Sequence, residues 1–292
     1  MYATRTSHSM ALGPGCAGPH LALAPTAPGP GGLSDPSCPG GVGKEQQPCV
    51  GAPACLVDPA GLSAPNRQRT QYPIVTGTSV LATTYKDGIL IACDTLASYG
   101  STKRYKSIDR MHKVNDSVIV AASGEISDFT HMMKLVDELS TEDFCSDDGI
   151  SITPKETHAY LSRVIYNRRN KFDPLWNSVI VGGFHDGLPF LGTIGMIGTN
   201  YTDAHVATGF GNHLARPIFR ERHSPDMDEE AATKMLHDAL KVCYYRDKQS
   251  INKFKLAKVT KDGATISEPF SLDVKWDYAH FQNPALNATG TW

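Results

Sequence analysis

Residues 70–94 read Thr70-Gln-Tyr-Pro-Ile-Val-Thr-Gly-Thr-Ser-Val-Leu-Ala-Thr-Thr-Tyr85, then Lys86-Asp87-Gly88, then Ile89-Leu-Ile-Ala-Cys-Asp94. Two runs of β-branched and apolar residues around an Asp-Gly turn predict a β-hairpin, with positive φ angles in the turn. Thr78 follows a glycine at the head of the first run. A threonine in this position is either a good strand former or a nucleophile released by cleavage of the Gly-Thr bond. The pattern by itself leaves both readings open.

The segment before this hairpin has a different composition. Residues 1–69 hold eleven of the nineteen prolines and eleven of the twenty-six glycines. Such a segment buries too little apolar surface to offset its ordering entropy. Its apolar pieces are short and broken by proline, which argues against a secretory signal. We therefore expect a disordered leader or propeptide over residues 1–69.

Composition excludes several classes of protein. The chain is 40% hydrophobic and 20% charged, which is typical of a globular protein, and its formal net charge of -2 favours neither nucleic acid nor an anionic membrane as a partner. The sequence contains no apolar run of about 18 residues, the length that a membrane-spanning helix needs, so no membrane span is predicted. The seven cysteines form no Cys-x-x-Cys pair, so free thiols in a reducing compartment are expected. The eleven histidines show no metal-binding spacing, and neither a metal nor a cofactor is predicted.

The order of predicted elements indicates the fold class. Strands are expected at 78–85, 89–94, 117–122, 178–184, 188–194, 254–259 and 264–266. Helices are expected near 127–139, from the Thr153-Pro-Lys-Glu156 capping box onward, in a short segment through Ile218 and Phe219, and at 226–246. No βαβ alternation or phosphate-binding glycine motif is present. The chain is therefore predicted to be α+β, with two antiparallel sheets packed together and helices outside them.

A series of short motifs then suggests a family. In order they are Gly77-Thr78-Ser79-Val80, Ile91-Ala-Cys-Asp94, Arg110-Met-His-Lys113-Val114, Ala122-Ser-Gly124, Gly209-x-Gly211 and Tyr245-Arg246-Asp247-x-x-Ser250. Each motif is weak, but together, from about residue 70 to 276, the chain closely resembles a 20S proteasome β subunit. This resemblance implies a four-layer αββα sandwich, the Ntn-hydrolase fold, over residues 70–273.

Further details resemble one non-catalytic class of this family, the class counted seventh in the ring. The pieces that carry this resemblance include the start of the hairpin stretch, Ser98-Tyr-Gly-Ser101, Ser123-Gly-Glu-Ile-Ser-Asp128, Pro174-Leu-Trp-Asn177 and Tyr244-Tyr-Arg-Asp247. That class is matured ahead of its threonine, and here Arg69 and Thr70 occupy the processing position.

In catalytic relatives the hydroxyl of the N-terminal threonine attacks, and its own free α-amine acts as the base. A lysine and an aspartate tune this chemistry, and a backbone N–H supplies the oxyanion hole. The resemblance assigns these roles, in an inherited or vestigial pocket, to Thr78, Asp94, Lys113, Gly124, Asp247 and Ser250.

Three features favour a non-catalytic chain. Cleavage before Thr70 leaves Thr78 without a free amine. Phe210 stands where active relatives carry a serine. The stretch between Asp94 and Lys113 is a few residues longer than in active subunits, which puts the placement of Lys113 in question. The alternatives are an active threonine endopeptidase with Thr78 as nucleophile and a free-standing amidohydrolase of the same fold.

The residues also have simpler explanations. Asp94 can be a turn former at a strand end, Lys113 a surface charge, and Asp247 with Arg246 a helix-end ion pair.

The resemblance also implies partners. These are the other α and β subunits of a hetero-oligomeric 28-subunit particle in cytoplasm and nucleus, serving ubiquitin- and ATP-dependent protein degradation. Neither nucleic acid nor a membrane is expected as a partner. Residues 274–292 are predicted either to reach the opposite β ring or to be a frayed terminus. The candidate anchors are Trp276, Tyr278, His280 and Phe281.

Overall fold

A computed structural model describes residues 74–277. The predicted leader, the processing residues Arg69 and Thr70, and the candidate anchors Tyr278, His280 and Phe281 lie outside this range.

The described range contains thirteen strands and five helices. The strands are β1 (Thr76–Gly77), β2 (Val80–Tyr85), β3 (Gly88–Asp94), β4 (Ala97–Tyr99), β5 (Thr102–Tyr105), β6 (Met111–Asn115), β7 (Val118–Glu125), β8 (Asn177–His185), β9 (Leu188–Ile194), β10 (Asn200–Thr202), β11 (His205–Ala207), β12 (Phe254–Thr260) and β13 (Gly263–Ile266). The helices are α1 (Ile126–Cys145), α2 (Pro154–Asn170), α3 (Gly211–Leu214), α4 (Arg216–Arg222) and α5 (Glu229–Arg246).

The strands form two antiparallel sheets. Eight strands have the order β10-β9-β8-β7-β1-β4-β5, with β6 also paired to β7, and five have the order β11-β2-β3-β12-β13. Every predicted strand and helix is present. The short strands β1, β4, β5, β6, β10 and β11 were not predicted, because each has five residues or fewer and too little periodicity to stand out.

Alternation of side chains along each strand builds the layers. Leu81, on β2, packs toward α4 and α5, whereas Val80 and Ala82 pack between the two sheets. On β7, Ile119 points into the space between the sheets, and Val118 packs against α1 and α2. Three apolar layers thus separate four layers of secondary structure. The predicted αββα sandwich is confirmed.

The turn of the β2–β3 hairpin differs from its prediction. Neither Asp87 nor Gly88 has a positive φ angle. Gly88 is instead required by close packing, because a Cβ atom there would lie 2.1 Å from the carbonyl oxygen of Val259 on β12. The β8–β9 turn has the positive φ angles of a type I′ hairpin, 51° at Asp186 and 76° at Gly187.

Local signals at the helix ends were more reliable. The Thr153 hydroxyl and the Glu156 carboxylate form the predicted capping box at the start of α2.

In the described part of the chain, Cys93, Cys145 and Cys243 are free thiols. Among residues 74–277, no helix combines the length and the apolar character needed to cross a bilayer.

Candidate functional site

The residues before Thr78 form part of the larger sheet. Strand β1 lies between β4 and β7, with Thr76 opposite both Ser98 and Glu125, and with Gly77 opposite Gly124. The pairing continues upstream, where the Ile126 N–H donates to the carbonyl oxygen of Val75 at 2.9 Å. The peptide nitrogen of Thr78 therefore follows directly from a hydrogen-bonded strand.

Thr78 itself lies half-buried at the junction of the two sheets. Its hydroxyl donates a hydrogen bond to the carboxylate of Asp247, the residue that caps the C-terminus of α5. The second carboxylate oxygen of Asp247 accepts from the Gln249 N–H at 2.8 Å, and its carbonyl accepts from the Ser250 hydroxyl at 2.8 Å. The structure thus brings Asp247 to Thr78 and places Ser250 directly behind it.

Arg110 is the basic side chain of this site. Its Nη1 donates to the carbonyl oxygen of Thr78 at 2.5 Å, and its Nη2 donates to the carbonyl oxygen of Ser79 at 3.1 Å. The same Nη2 lies 2.5 Å from Asp94 Oδ1, while Nε donates to the Asp94 carbonyl at 3.0 Å. Arg110 is 1% exposed. One guanidinium therefore joins the head of β2 to the end of β3.

The assignment of Lys113 to this pocket is wrong. Its ammonium group lies 2.6 Å from the carboxylate of Asp116, and its side chain is 42% exposed on β6. The motif Arg110-Met-His-Lys113 contains two basic residues. Arg110 precedes β6 and points inward, whereas Lys113 lies three residues further along and pairs locally. The longer stretch between Asp94 and Lys113 was the sequence signal of this difference.

Asp94 lies at the end of β3, against Arg110. It is 3% exposed, and its Oδ2 accepts from the Ile251 N–H at 3.2 Å. Burial raises the pKa of the Asp94 carboxyl to about 6, and the adjacent Arg110 guanidinium opposes that rise. Asp94 is thus one half of a buried ion pair that also receives backbone hydrogen bonds.

Gly124, the predicted oxyanion donor, lies opposite Gly77. Its φ angle is 95°, and a Cβ atom at this position would lie 2.1 Å from the Trp176 carbonyl oxygen, so only glycine fits. Asn177 holds the backbone on both sides of Gly124, because its side-chain NH2 donates to the carbonyls of Ser123 (3.0 Å) and Glu125 (2.7 Å). Sequence reasoning missed Asn177 as a site residue, since only the pairing of β7 with β8 brings it there.

A cavity of about 330 Å³ opens beside Thr78. Phe210 lines this cavity and is 57% exposed. Next to Phe210, the Gly211 N–H donates to the Ser79 hydroxyl at 2.9 Å. The residues that line the cavity include Gly77, Gly124, Trp176, Met196 and Phe210.

The chain beyond β13 stays attached to the fold. Asn252 exchanges hydrogen bonds of 2.8 Å with both backbone groups of Leu272. Further on, the Lys275 N–H donates to the Tyr245 hydroxyl at 2.7 Å. The Trp276 ring packs edge-on against Tyr244 and Tyr245, with centroid distances of 5.7 and 5.0 Å. Trp276, predicted as an anchor on a partner, thus contacts its own chain.

The sequence of this chain is similar to those of one known family. The profile of the proteasome subunit family matches residues 74–259, which span β1 to β12. The chain belongs to the proteasome subunit family. Proteasome subunit beta type-4 of Arabidopsis thaliana is 51% identical over 225 residues, covering 77% of this chain and 92% of the relative.

Relatives from other organisms are also named as proteasome β subunits. Proteasome subunit beta type-4 of Xenopus laevis is 40% identical over 73% of this chain and 89% of its own length. Proteasome subunit beta type-7 of Saccharomyces cerevisiae is 38% identical over 72% of this chain and 84% of its own. The predicted resemblance to the proteasome β subunits, and within them to the beta type-4 class, is confirmed.

Within this proteasome subunit, the described residues hold no group of three or more histidine, cysteine or acidic side chains that could bind a metal ion.

Proposed function

We propose that this chain is a non-catalytic structural β subunit of the 20S proteasome core particle, contributing to assembly of the β ring in ubiquitin- and ATP-dependent protein degradation. The similarity to proteasome subunits named beta type-4 and beta type-7 supports this proposal. The observation that carries its non-catalytic part is β1, a strand of the central sheet that continues directly into Thr78.

Catalysis by an N-terminal threonine needs a free α-amine, because an amide nitrogen has no available lone pair to accept the proton. Processing between Arg69 and Thr70 would leave the eight residues 70–77 attached to Thr78. Pairing of Thr76 and Gly77 with three different strand positions supports retention of this segment in the folded subunit.

The presence of arginine rather than lysine beside Thr78 supports the same conclusion. A guanidinium has no acceptor and stays protonated in proteins, so it cannot exchange a proton with the Thr78 hydroxyl. The Arg110 donors are also held by the carbonyls of Thr78, Ser79 and Asp94 and by the Asp94 carboxylate. We assign to Arg110 the role of fixing the strand junction.

The resulting pocket is a structural remnant. Thr78, Asp94, Gly124, Asp247 and Ser250 are retained, but each makes contacts that stabilise the fold. We further propose that the partners are the other α and β subunits of the 28-subunit particle, that the tail beyond residue 277 reaches the opposite β ring, and that the subunit functions in cytoplasm and nucleus.

The N-terminus of the chain in the purified particle tests this proposal. Edman sequencing or intact mass should give a start at Thr70, and an epoxyketone that labels threonine nucleophiles should leave the chain unmodified. A start at Thr78 together with epoxyketone labelling would establish the active endopeptidase instead. Recovery of the chain only as a free monomer that hydrolyses amides would establish the amidohydrolase.

A further inference from the structure

A positively charged surface surrounds the β4–β5 hairpin. It consists of residues 99–107, together with the loop 246–253 that follows α5, and we call it the basic hairpin surface. These segments carry six cationic side chains, and their one acidic residue, Asp247, is buried against Thr78. The cations are Lys103, Arg104, Lys106, Arg246, Lys248 and Lys253.

Three of the four lysines are held in place by neutral groups. Lys103 donates to the Ser250 carbonyl at 2.8 Å, Lys248 to the Ser101 hydroxyl at 3.4 Å, and Lys253 to the Ser107 hydroxyl at 2.7 Å. A neutral acceptor orients an ammonium group without cancelling its charge. The surface therefore keeps a concentrated positive charge on a chain whose net charge is -2.

An open sheet edge runs through this surface. Within residues 74–277, β5 is the last strand of the eight-stranded sheet and has β4 as its strand neighbour. All four residues of β5 are exposed. Tyr99 and Tyr105 are 45% and 43% exposed, and tyrosine is one of the residues that contribute most at interfaces.

The hairpin is also pre-organised. The Gln249 side chain donates to the Gly100 carbonyl at 2.8 Å, and the lysine contacts attach both ends of the hairpin to the loop after α5. A partner that binds this edge would therefore pay little ordering entropy in the hairpin.

We infer that the basic hairpin surface is a docking site for an extended, acidic segment of a neighbouring subunit. The segment adds a strand to the free edge of β5, and its carboxylates face the cations that neutral acceptors hold in place. Charge complementarity selects an acidic segment, because the cations that discourage other strands from pairing with β5 attract carboxylates, and within residues 74–277 β4 is the strand paired to it. This inference rests on the proposed function as a subunit of a larger particle.

Photo-crosslinking in the assembled particle tests the contact. Benzoylphenylalanine replaces Tyr105 in the full-length chain, and the same residue replaces Phe172, which is 97% exposed at the end of α2, as a control. The Tyr105 probe should crosslink to an acidic stretch of another subunit that the Phe172 probe does not reach. Crosslinks confined to the same chain, to a stretch without acidic residues, or to a client polypeptide would overturn the inference.

Charge reversal provides a second readout. The double variant Arg104→Glu, Lys106→Glu should reduce co-purification with other subunits several-fold. The matched variant Lys86→Glu, Lys261→Glu, in two exposed hairpin turns, should not. Equal incorporation of both variants would count against the site. If the unmodified chain fails to co-purify with any other subunit, the proposed function itself fails, whereas co-purification without the Tyr105 crosslink rejects only the docking site.

Discussion

The guanidinium of Arg110 donates to the carbonyl oxygen of Thr78 across 2.5 Å while its other terminal nitrogen pairs with the carboxylate of Asp94. Both partners of this ion pair are almost completely buried. The contact joins β2, β3 and the chain entering β6 at one point. The Arg110 side chain thus holds these strands together beside Thr78.

Replacing Arg110 with methionine should lower the free energy of unfolding by about 3–5 kcal/mol, because Asp94 is left buried without its partner. Arg110→Lys should cost about 1–3 kcal/mol, since one ammonium group cannot satisfy the spread of acceptors that the guanidinium bridges. Denaturant unfolding of the purified chain measures both. Lys113→Met, in an exposed local pair, is the control and should change stability by less than about 1 kcal/mol. A larger effect of Lys113→Met than of Arg110→Met would contradict the assignment.

Gly77→Ala should destabilise the fold by about 1–3 kcal/mol, because the added Cβ would lie 2.4 Å from Arg110 Cδ. The side chain of Arg110 passes over Gly77 on its way to Thr78, so the two positions must couple. In a double-mutant cycle with Arg110→Ala, which removes the Cδ atom that the added Cβ would meet, the combined cost should be smaller than the sum of the single costs. Strict additivity would mean that the Arg110 side chain does not press on residue 77.

Thr78→Val should leave the peptidase activity of the particle unchanged and lower the stability of the subunit by about 1.5–3 kcal/mol, since Asp247 loses the hydroxyl that donates to it. Activity is measured with peptide substrates on purified particles, and stability by unfolding of the chain. The control is Thr84→Val, whose hydroxyl donates only to a neutral carbonyl, that of Ala204. Loss of activity in proportion to Thr78→Val incorporation would support the endopeptidase alternative.

Two truncations separate the tail from the segment that holds it. Ending the chain after Asp277 should slow the joining of two half-particles but leave the subunit folded. Ending it after Asp273 should also remove the Lys275 and Trp276 contacts with Tyr244 and Tyr245, and so lower the thermal midpoint as well. Native mass spectrometry follows assembly, and thermal unfolding follows the fold. Normal joining in both truncated forms would rule out the tail as an inter-ring contact.

Acidification should destabilise the fold below about pH 6.5, the ordinary pKa of histidine. Burial lowers the pKa values of His158, His205 and His237. In this window the three histidines are protonated in the unfolded chain but not in the folded chain, so stability falls as the pH falls through 6.5 toward the folded pKa. The raised pKa of the Asp94 carboxyl, about 6, acts with the opposite sign and makes the fall smaller. Thermal midpoints between pH 7.5 and 5.5 measure the slope. His158→Gln should flatten it, and the exposed control His131→Gln should not. A slope that His158→Gln leaves unchanged would refute the role of this histidine.

Local sequence signals predicted much of this structure. The β2–β3 hairpin, the capping box at Thr153 and the three long helices α1, α2 and α5 could all be predicted, because each depends on residues close together in the chain. The resemblance assigned Thr78, Asp94, Asp247 and Ser250 to one pocket, and the structure places Thr78 and Ser250 against Asp247 and places Asp94 against the backbone of Ile251. Strand β1 was not predicted, because its two residues gain strand geometry only from Ser98, Gly124 and Glu125.

The hairpin stretch at residues 70–94 thus predicted β2 and β3 from their apolar and β-branched runs, and the order of elements along the chain predicted the fold class. It could not determine what surrounds Thr78. Two basic residues lie three positions apart in one motif, and only the path of the chain from β5 into β6 sends Arg110 inward and leaves Lys113 in solvent. Sequence spacing gives distance along the chain, but the direction of a side chain depends on the strand register, which is set by packing between distant segments.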